Sequence, residues 1–491
     1  MVTIEVNNLY GKIMNKDLPA QVLSDIQTQC SFQMEGSEFK AYAYRKKNIK
    51  WDGYKKLFNK QTRRFDIGLL SRVVEILKRH GYDIDIVDKR IHLNSDIKYE
   101  YQEDMLRDYQ RQAIITSIMS GNGILKVATG GGKTVIAGCT IGALNKKSIF
   151  IVHTKDLLYQ TKDSFSRIFP NEHIGQVGDG IIDYQNITIA TVQTLAILGS
   201  IDIDKYKYDE DNRYDEEKIQ VDKIKKDEFY AYHTTVQCIM MDEVQIVCSQ
   251  TAQLVRFLFE SADYAFGYSA SPWRDDGSDL QIEGAFGRRI VDISASELIQ
   301  AGYLVRPTIE IHKTYYQVIP SPKKEDYVQI YRKYIVENQS RNLQICQDAM
   351  AQWGSGLNTL VLVTQIKHGQ TLEEILNQFG CPAVFISGKS GMKKRKQAVE
   401  DMRNGTRSIM IASTIADVGL DIPRLQCIVE AGAGKSSVTA LQRLGRIMRP
   451  FDGKDSCLFI TYRDSAPFIC SHVNRKIDIW RTENEFIIKE I

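Results

Sequence analysis

The chain has 491 residues, 43% of them hydrophobic and 25% charged, and its 64 Lys and Arg face 61 Asp and Glu for a formal net charge of +3. This length predicts about three domains, and this composition predicts a globular protein. The near-balanced charge excludes a whole-chain polycation, so any nucleic-acid surface has to be local.

No run approaches the ~18 apolar residues of a membrane span. The N-terminus "MVTIEVNNLYGKIMNKD" lacks the basic-then-apolar order of a signal peptide. Nine cysteines are scattered without a C-x-x-C pair, several inside apolar runs such as "TVQCIMMDE". They read as reduced core thiols rather than disulfides or zinc ligands.

In chain order, the first unusual stretch is Tyr44 to Arg64, "YRKKNIKWDGYKKLFNKQTRR". It holds nine Lys or Arg and one Asp, a local net of +8, with Tyr44, Trp51, Tyr54 and Phe58 interleaved. Two readings stand: a surface that contacts phosphates and stacks bases, or a basic hairpin whose aromatics face a core. "GLLSRVVEILKRHGY" follows, with helical apolar spacing and a Gly stop.

From about 105 to 305, short apolar runs ("SIFIVHT", "ITIATVQT", "VQCIMMDE", "YAFGYSAS") alternate with helical patterns. A second series begins near 357 ("LNTLVLVT", "PAVFIS", "RSIMIAST", "LQCIVEAG", "DSCLFITY"). This alternation predicts two α/β domains with parallel sheets. "HKTYYQVIPSPKKEDYVQ" reads as the crossover between them. The charge-dense Ile201–Glu228 reads as an inserted loop or a solvated helical excursion.

Three constellations carry chemistry. "ILKVATGGGKTVIAG" (Ile124–Gly138) puts three glycines, a Lys and a Thr between two apolar elements. Backbone N–H groups at a helix start, a Lys point charge and a Thr hydroxyl suit a phosphate with Mg²⁺. The full phosphate-loop pattern wants Gly where Val127 stands, so a plain tight turn is the other reading. Asp242 and Glu243 end the apolar run "CIMM", at the strand tips where open α/β sheets bind ligands. An Asp there can hold Mg²⁺ and a Glu can orient or deprotonate water; solvated acids opening a loop are the alternative. In "LQRLGRIMRP", Arg443, Arg446 and Arg449 are spaced three apart, which reads as a stripe on one helical face. This is the pattern of cations that neutralise a transferring phosphoryl group, or of an exposed basic helix.

In this order, these blocks resemble the superfamily 2 helicases over about residues 105–465. "LRDYQRQAI" resembles the Q-type motif, with Arg107 and Gln110 as candidate nucleotide contacts and Gln110 as the adenine reader. "ATGGGKT" resembles motif I, "IVHTKDLLYQ" motif Ia, "DEVQ" motif II and "YSASPWRDD" motif III. "TLVLVTQIKHGQTLEEIL" resembles motif IV, "IASTIADVGLDIP" motif V and "QRLGRIMR" motif VI. Motif II commonly ends in His or Asp, and here it ends in Gln245, which can still donate and accept hydrogen bonds.

The resemblance implies two tandem RecA-like domains, at 96–310 and 311–491, after a small basic α+β domain at 1–95. It implies ATP cradled by Thr129, Gly130, Gly131, Gly132, Lys133 and Thr134, with Mg²⁺ held by Thr134 and Asp242. Glu243 would be the base, Arg446 and Arg449 the arginine fingers, and Gly419 and Asp421 would sense the nucleotide. Thr154, Thr364 and Thr414 would touch nucleic acid, through backbone contacts that position without reading sequence.

The N-terminal block with its "WDG" core resembles the domain that precedes the motor in phage UvsW-type helicases. That likeness implies DNA as partner, at forks or Holliday junctions, with Arg45, Lys46, Lys47, Lys50, Trp51 and Lys55 as contacts. A monomer is expected, and the reduced thiols read as those of a cytoplasmic protein, in the host's cytoplasm if the chain is phage-encoded. The alternatives are an RNA helicase on the same motor, a duplex-DNA translocase that does not separate strands, and a scaffold with a dead motor.

Overall fold

The computed structural model describes residues 1–34, 37, 52–200, 216–272, 278–318, 326–406, 409–413, 422–434 and 437–491. They form two compact units. The first comprises Met1–Val127 and Gly132–Asp292; the second comprises Ala128–Gly131 and Ile293–Ile491.

Among the described residues the first unit holds three sheets, the smallest only the antiparallel pair Ser31–Gln33 and Tyr54–Lys56. Near the N-terminus, five strands lie in the order Phe58–Asn59, Arg64–Asp66, Tyr10–Ile13, Val2–Val6, Ile84–Asp88. Val2–Val6 alternates buried and half-buried residues, as a strand with one covered face must. Its cover is the helix pair Ala20–Gln29 and Leu70–Arg79, which bury Val22, Ile26, Val73, Ile76 and Leu77 in one core with Phe58 and Phe65. The predicted "GLLSRVVEILKRHGY" helix is therefore present, preceded by a 3-10 turn at Ile67–Leu69 and stopped before Gly81.

The larger sheet orders its strands Ile181–Asp183, Ile174–Gly178, Ile187–Thr191, Ser148–Val152, Cys238–Asp242, Tyr264–Ser269, Asn122–Val127, Arg289–Ile293. From Ile174–Gly178 through Asn122–Val127 every pair is parallel. Its central strands are buried end to end, because helices cover both faces. The described end of the charged insertion is helical, Glu216–His233, and anchors itself by burying Phe229 and Tyr232 in the domain core.

The N-terminal sheet docks on this larger one. Gly68 packs against the backbone of the helix Asp279–Phe286, and Leu280 of that helix joins the N-terminal core. Arg72 meets Glu283 in a two-pronged ion pair, Nε–Oε1 3.1 Å and Nη2–Oε2 2.5 Å. Arg288 pairs with Glu75 at 2.5 Å, and Tyr10 stacks on Phe257 at 5.8 Å between ring centroids. Arg256 is fully buried at this seam and donates Nε–H to the Ala285 carbonyl. Nearby, burial pushes the Asp66 carboxyl up to about 6, against the pull of Arg256 and Lys55.

The second unit is a seven-stranded parallel sheet in the order Ala383–Ile386, Ile409–Ser413, Thr359–Val363, Cys427–Glu430, Cys457–Arg463, Pro307–Lys313, Ile487–Glu490. Arg341 and Asp464 form a buried two-pronged pair under it, at 2.8 and 3.1 Å, and Arg341 also donates to the Ala431 carbonyl. Seven of the nine cysteines are buried thiols; Cys248 is half-buried and Cys470 exposed.

Candidate nucleotide site

In the first unit the strand Asn122–Val127 runs into the Gly-rich turn, and the helix Lys133–Leu144 starts directly after it. Gly132 caps that helix with φ 81°, in the left-handed region glycine favours. A Cβ there would lie 2.4 Å from Gln110 Nε2, so the position excludes side chains on two counts. Gln110 itself is buried. Its Oε1 accepts the Arg107 backbone N–H at 3.0 Å, closing the first turn of the helix Asp108–Ser120. Gln110 thus packs directly against the Gly-rich turn.

Lys133 points at Glu243, with Nζ to Oε1 at 3.3 Å and both side chains largely covered. Asp242 ends the buried strand Cys238–Asp242, and Glu243 follows in the left-handed region at φ 49°, ψ 57°. A non-Gly residue there stores ~1–2 kcal/mol of strain, and a 3-10 turn, Val244–Cys248, holds it. Gln245 Nε2–H donates to Glu243 Oε2 at 2.8 Å, and Ser269 Oγ lies 3.4 Å from the same oxygen. The amide at Gln245 thus orients the Glu243 carboxylate without bringing charge.

Burial pushes Asp242 up to about 6, helped by the Glu243 charge and opposed by Lys133. Burial also acts to raise Glu243, but the Lys133 charge and the Gln245 and Lys133 hydrogen bonds outweigh it, and its pKa falls below the ordinary value. Two groups absent from the sequence-based site residues now belong beside it. Ser269 sits within the quoted "YSAS" block. His153 couples electrostatically to Glu243 and is held toward its neutral form by burial. The block "IVHT" carries His153, but nothing in a sequence shows that an imidazole faces a carboxylate 90 residues later.

Thr154 caps the helix Lys155–Ile168, its Oγ1 accepting the Leu157 N–H at 3.3 Å. In the second unit Thr364 is exposed after the strand Thr359–Val363, and its Oγ1 bonds the Tyr331 hydroxyl. Lys55 is turned inward: its Nζ–H donates to Gln253 Oε1 at 3.3 Å and burial lowers its pKa, so it ties the N-terminal domain to its neighbour. Phe58 is a core residue, whereas Tyr54 is exposed. Arg45, Lys46, Lys47, Lys50, Trp51, Thr414, Gly419 and Asp421 lie outside the described residues.

The three-arginine stripe needs correcting. A step of three residues drifts ~60° around a helix with 3.6 residues per turn, so the arginines do not share one face. On the helix Ser437–Ile447, Arg443 is buried and its Nη1–H donates to Glu430 Oε1 at 2.6 Å. Arg446 and Arg449 are half-buried.

The family described as "Type III restriction enzyme, res subunit" matches residues 103–272, and "Helicase conserved C-terminal domain" matches residues 342–450. A protein carrying the name helicase 22 in Sulfolobus islandicus filamentous virus is 27% identical over 386 residues, which cover 71% of this chain and 62% of that protein. The "ATP-dependent DNA helicase uvsW" of Enterobacteria phage T4 is 22% identical over 470 residues, 92% of this chain and 88% of that one. This chain spans 50–62% of the length of the curated relatives it matches first. Among solved structures, the "ATP-dependent Type ISP restriction-modification enzyme LlaBIII bound to DNA" aligns with TM-score 0.55 at 13% identity, over 86% of this chain and 34% of that one. That alignment identifies the two parallel sheets as RecA-like. The two family matches fall on these two sheets in the order of the motif blocks, and in this the chain is similar to the superfamily 2 helicases.

Proposed function

We propose that this protein is an ATP-hydrolysing DNA helicase or translocase that remodels branched DNA. The observation that carries the reading is the Lys133–Glu243–Gln245–Ser269 cluster beside Asp242, at the carboxyl edge of a parallel sheet next to a Gly-rich helix start. Lys133 and the N–H groups of the turn bind the nucleotide phosphates. Glu243 stays ionised next to Lys133 and orients the attacking water as its base. Arg446 and Arg449 neutralise charge that develops on the transferring phosphoryl group.

Asp242 and Thr134 are the residues that would hold Mg²⁺, which supplies charge neutralisation at the phosphate oxygens. They fit it: Asp242 Oδ1 is buried and has no hydrogen-bond partner among the described residues, the state of a carboxylate oxygen shaped for a hard cation. Thr154, Thr364 and Thr414 touch the nucleic-acid backbone, and Gly419 and Asp421 sense the nucleotide.

DNA as the substrate is supported by the relative named as a DNA helicase, which this chain matches over most of both lengths. Branched DNA is supported by the +8 charge of the 21-residue block Tyr44–Arg64 in the sequence, together with the packing of the N-terminal sheet on the first helicase sheet. The deciding experiment compares ATP turnover with single-stranded DNA, duplex, fork, Holliday junction and RNA as activators. Fork or junction should activate most. Stronger activation by RNA overturns the DNA reading, and equal activation by plain duplex overturns the branched specialisation.

A further inference from the structure

Glu430 ends the strand Cys427–Glu430 and is almost fully buried. Three groups from three other elements converge on its carboxylate. Arg443, on the arginine helix Ser437–Ile447, reaches Oε1 at 2.6 Å. Thr461, on the strand Cys457–Arg463, donates to Oε2 at 2.9 Å. Lys476, on the helix His472–Trp480, pairs with the same oxygen and is itself buried. The last helix lies beyond the matched helicase domain, which ends at residue 450. It is fastened independently: the His472 ring bonds the Ala433 carbonyl at 2.9 Å, and Trp480 packs edge-on against Phe459.

We infer that Glu430, clamped by Lys476 from the C-terminal helix, is a positioning residue for the arginine helix and so for the action of Arg446 on ATP. Arg443 and Arg446 are one helical turn apart, and Leu444 and Ile447 between and after them are buried. Holding Arg443 by a two-oxygen carboxylate that two further elements grip fixes both the rotation and the height of the helix. Apolar contacts alone tolerate small slides; a charge-assisted hydrogen bond with defined direction does not. The segment past residue 450 then belongs to the catalytic apparatus without touching substrate.

This inference rests on the proposed ATPase reading, and the test separates the two. Glu430→Gln, Arg446→Ala and their combination are compared by steady-state ATP turnover with saturating nucleic acid. Glu430→Gln should lower kcat between about 10- and 100-fold, the cost of a misplaced catalytic group, with KM for ATP unchanged within twofold. The double variant should be no slower than Arg446→Ala alone, because both act through one guanidinium. Losses that multiply, or a folded Glu430→Gln with normal kcat, overturn the inference. An Arg446→Ala variant with normal kcat instead overturns the arginine-finger reading itself. Should Glu430→Gln fail to fold, Glu430→Gln/Lys476→Met removes the buried charge pair at similar volume and is scored the same way, and Lys476→Arg should keep most of the turnover.

Discussion

Gly68→Ala is a sharp test of the docking between the N-terminal domain and the first helicase sheet. A Cβ on Gly68 would sit 2.0 Å from the Glu283 carbonyl oxygen, 2.6 Å from the Gly287 nitrogen and 2.7 Å from the Gly284 oxygen. All three are backbone atoms, so no rotamer change relieves the overlap. The segment Ile67–Leu69 has to withdraw by about 1 Å, and the two-pronged Arg72–Glu283 pair opens with it. Overpacking costs ~1–3 kcal/mol, and rigid backbone on both sides puts this site at the upper end. At ~2 °C per kcal/mol for a unit of this size, the first calorimetric transition should fall by about 6 °C. Hydrogen exchange in Asp279–Phe286 should speed up in parallel. Gly354→Ala, where the added methyl meets nothing within 4 Å, is the control. A Gly68→Ala protein that melts within about 1 °C of the parent, with unchanged exchange in that helix, would refute the docking.

Four further outcomes follow from the site. Lys133→Ala should abolish ATP turnover while leaving fold and nucleic-acid binding largely intact, and Glu243→Gln should bind ATP but hydrolyse it very slowly; near-normal turnover in either reassigns that residue. Arg446→Ala and Arg449→Ala should lower kcat by ~10³-fold or more with little change in ATP affinity, and a pure KM effect would mean the helix is not catalytic. Charge reversal at Lys46, Lys47 and Lys50 should weaken fork binding far more than ATPase on a single strand, with the salt slope reduced by about one per lost phosphate contact; equal effects on both would remove the N-terminal block from branch recognition. Asp66 has a folded pKa of about 6 against an ordinary carboxylate in the unfolded chain, so the folded state holds the proton more tightly. Its contribution to stability is therefore present at low pH and lost as pH rises toward and through about 6. Denaturation midpoints of Asp66→Asn measured from pH 4 to 8 should lack that component, and a profile parallel to the parent's would show that Asp66 does not titrate there.

One expectation about the N-terminal domain changes with the fold. From its charge and its likeness to a preceding module, residues 1–95 look removable, leaving a motor intact on single-stranded DNA. The contacts run the other way: removal strips the cover from Leu280, Phe257 and the buried Arg256. Point changes in the basic block are therefore the cleaner test of its DNA role than truncation.

The sequence by itself determined the order of elements, the two parallel sheets and the place of the Gly-rich turn between a strand and a helix. Those signals are local: apolar periods of five to six residues, a Gly-rich turn before an apolar helix, acids at a strand tip. It also marked Gln245 as unusual, because a motif block is read residue by residue. Only the tertiary structure decided what the charges do. Lys55 and Lys47 belong to one basic run, yet Lys55 bonds Gln253, 198 positions along the chain. Arg443 looks like its neighbours Arg446 and Arg449 until a Glu from one strand, held also by a Lys from a later helix, meets it in the core. Arg72 finds Glu283 across 211 residues. A side chain's charge is written in its letter, but its partner is set by which surfaces the packed sheets bring together, and burial then decides whether that charge serves a ligand or the fold.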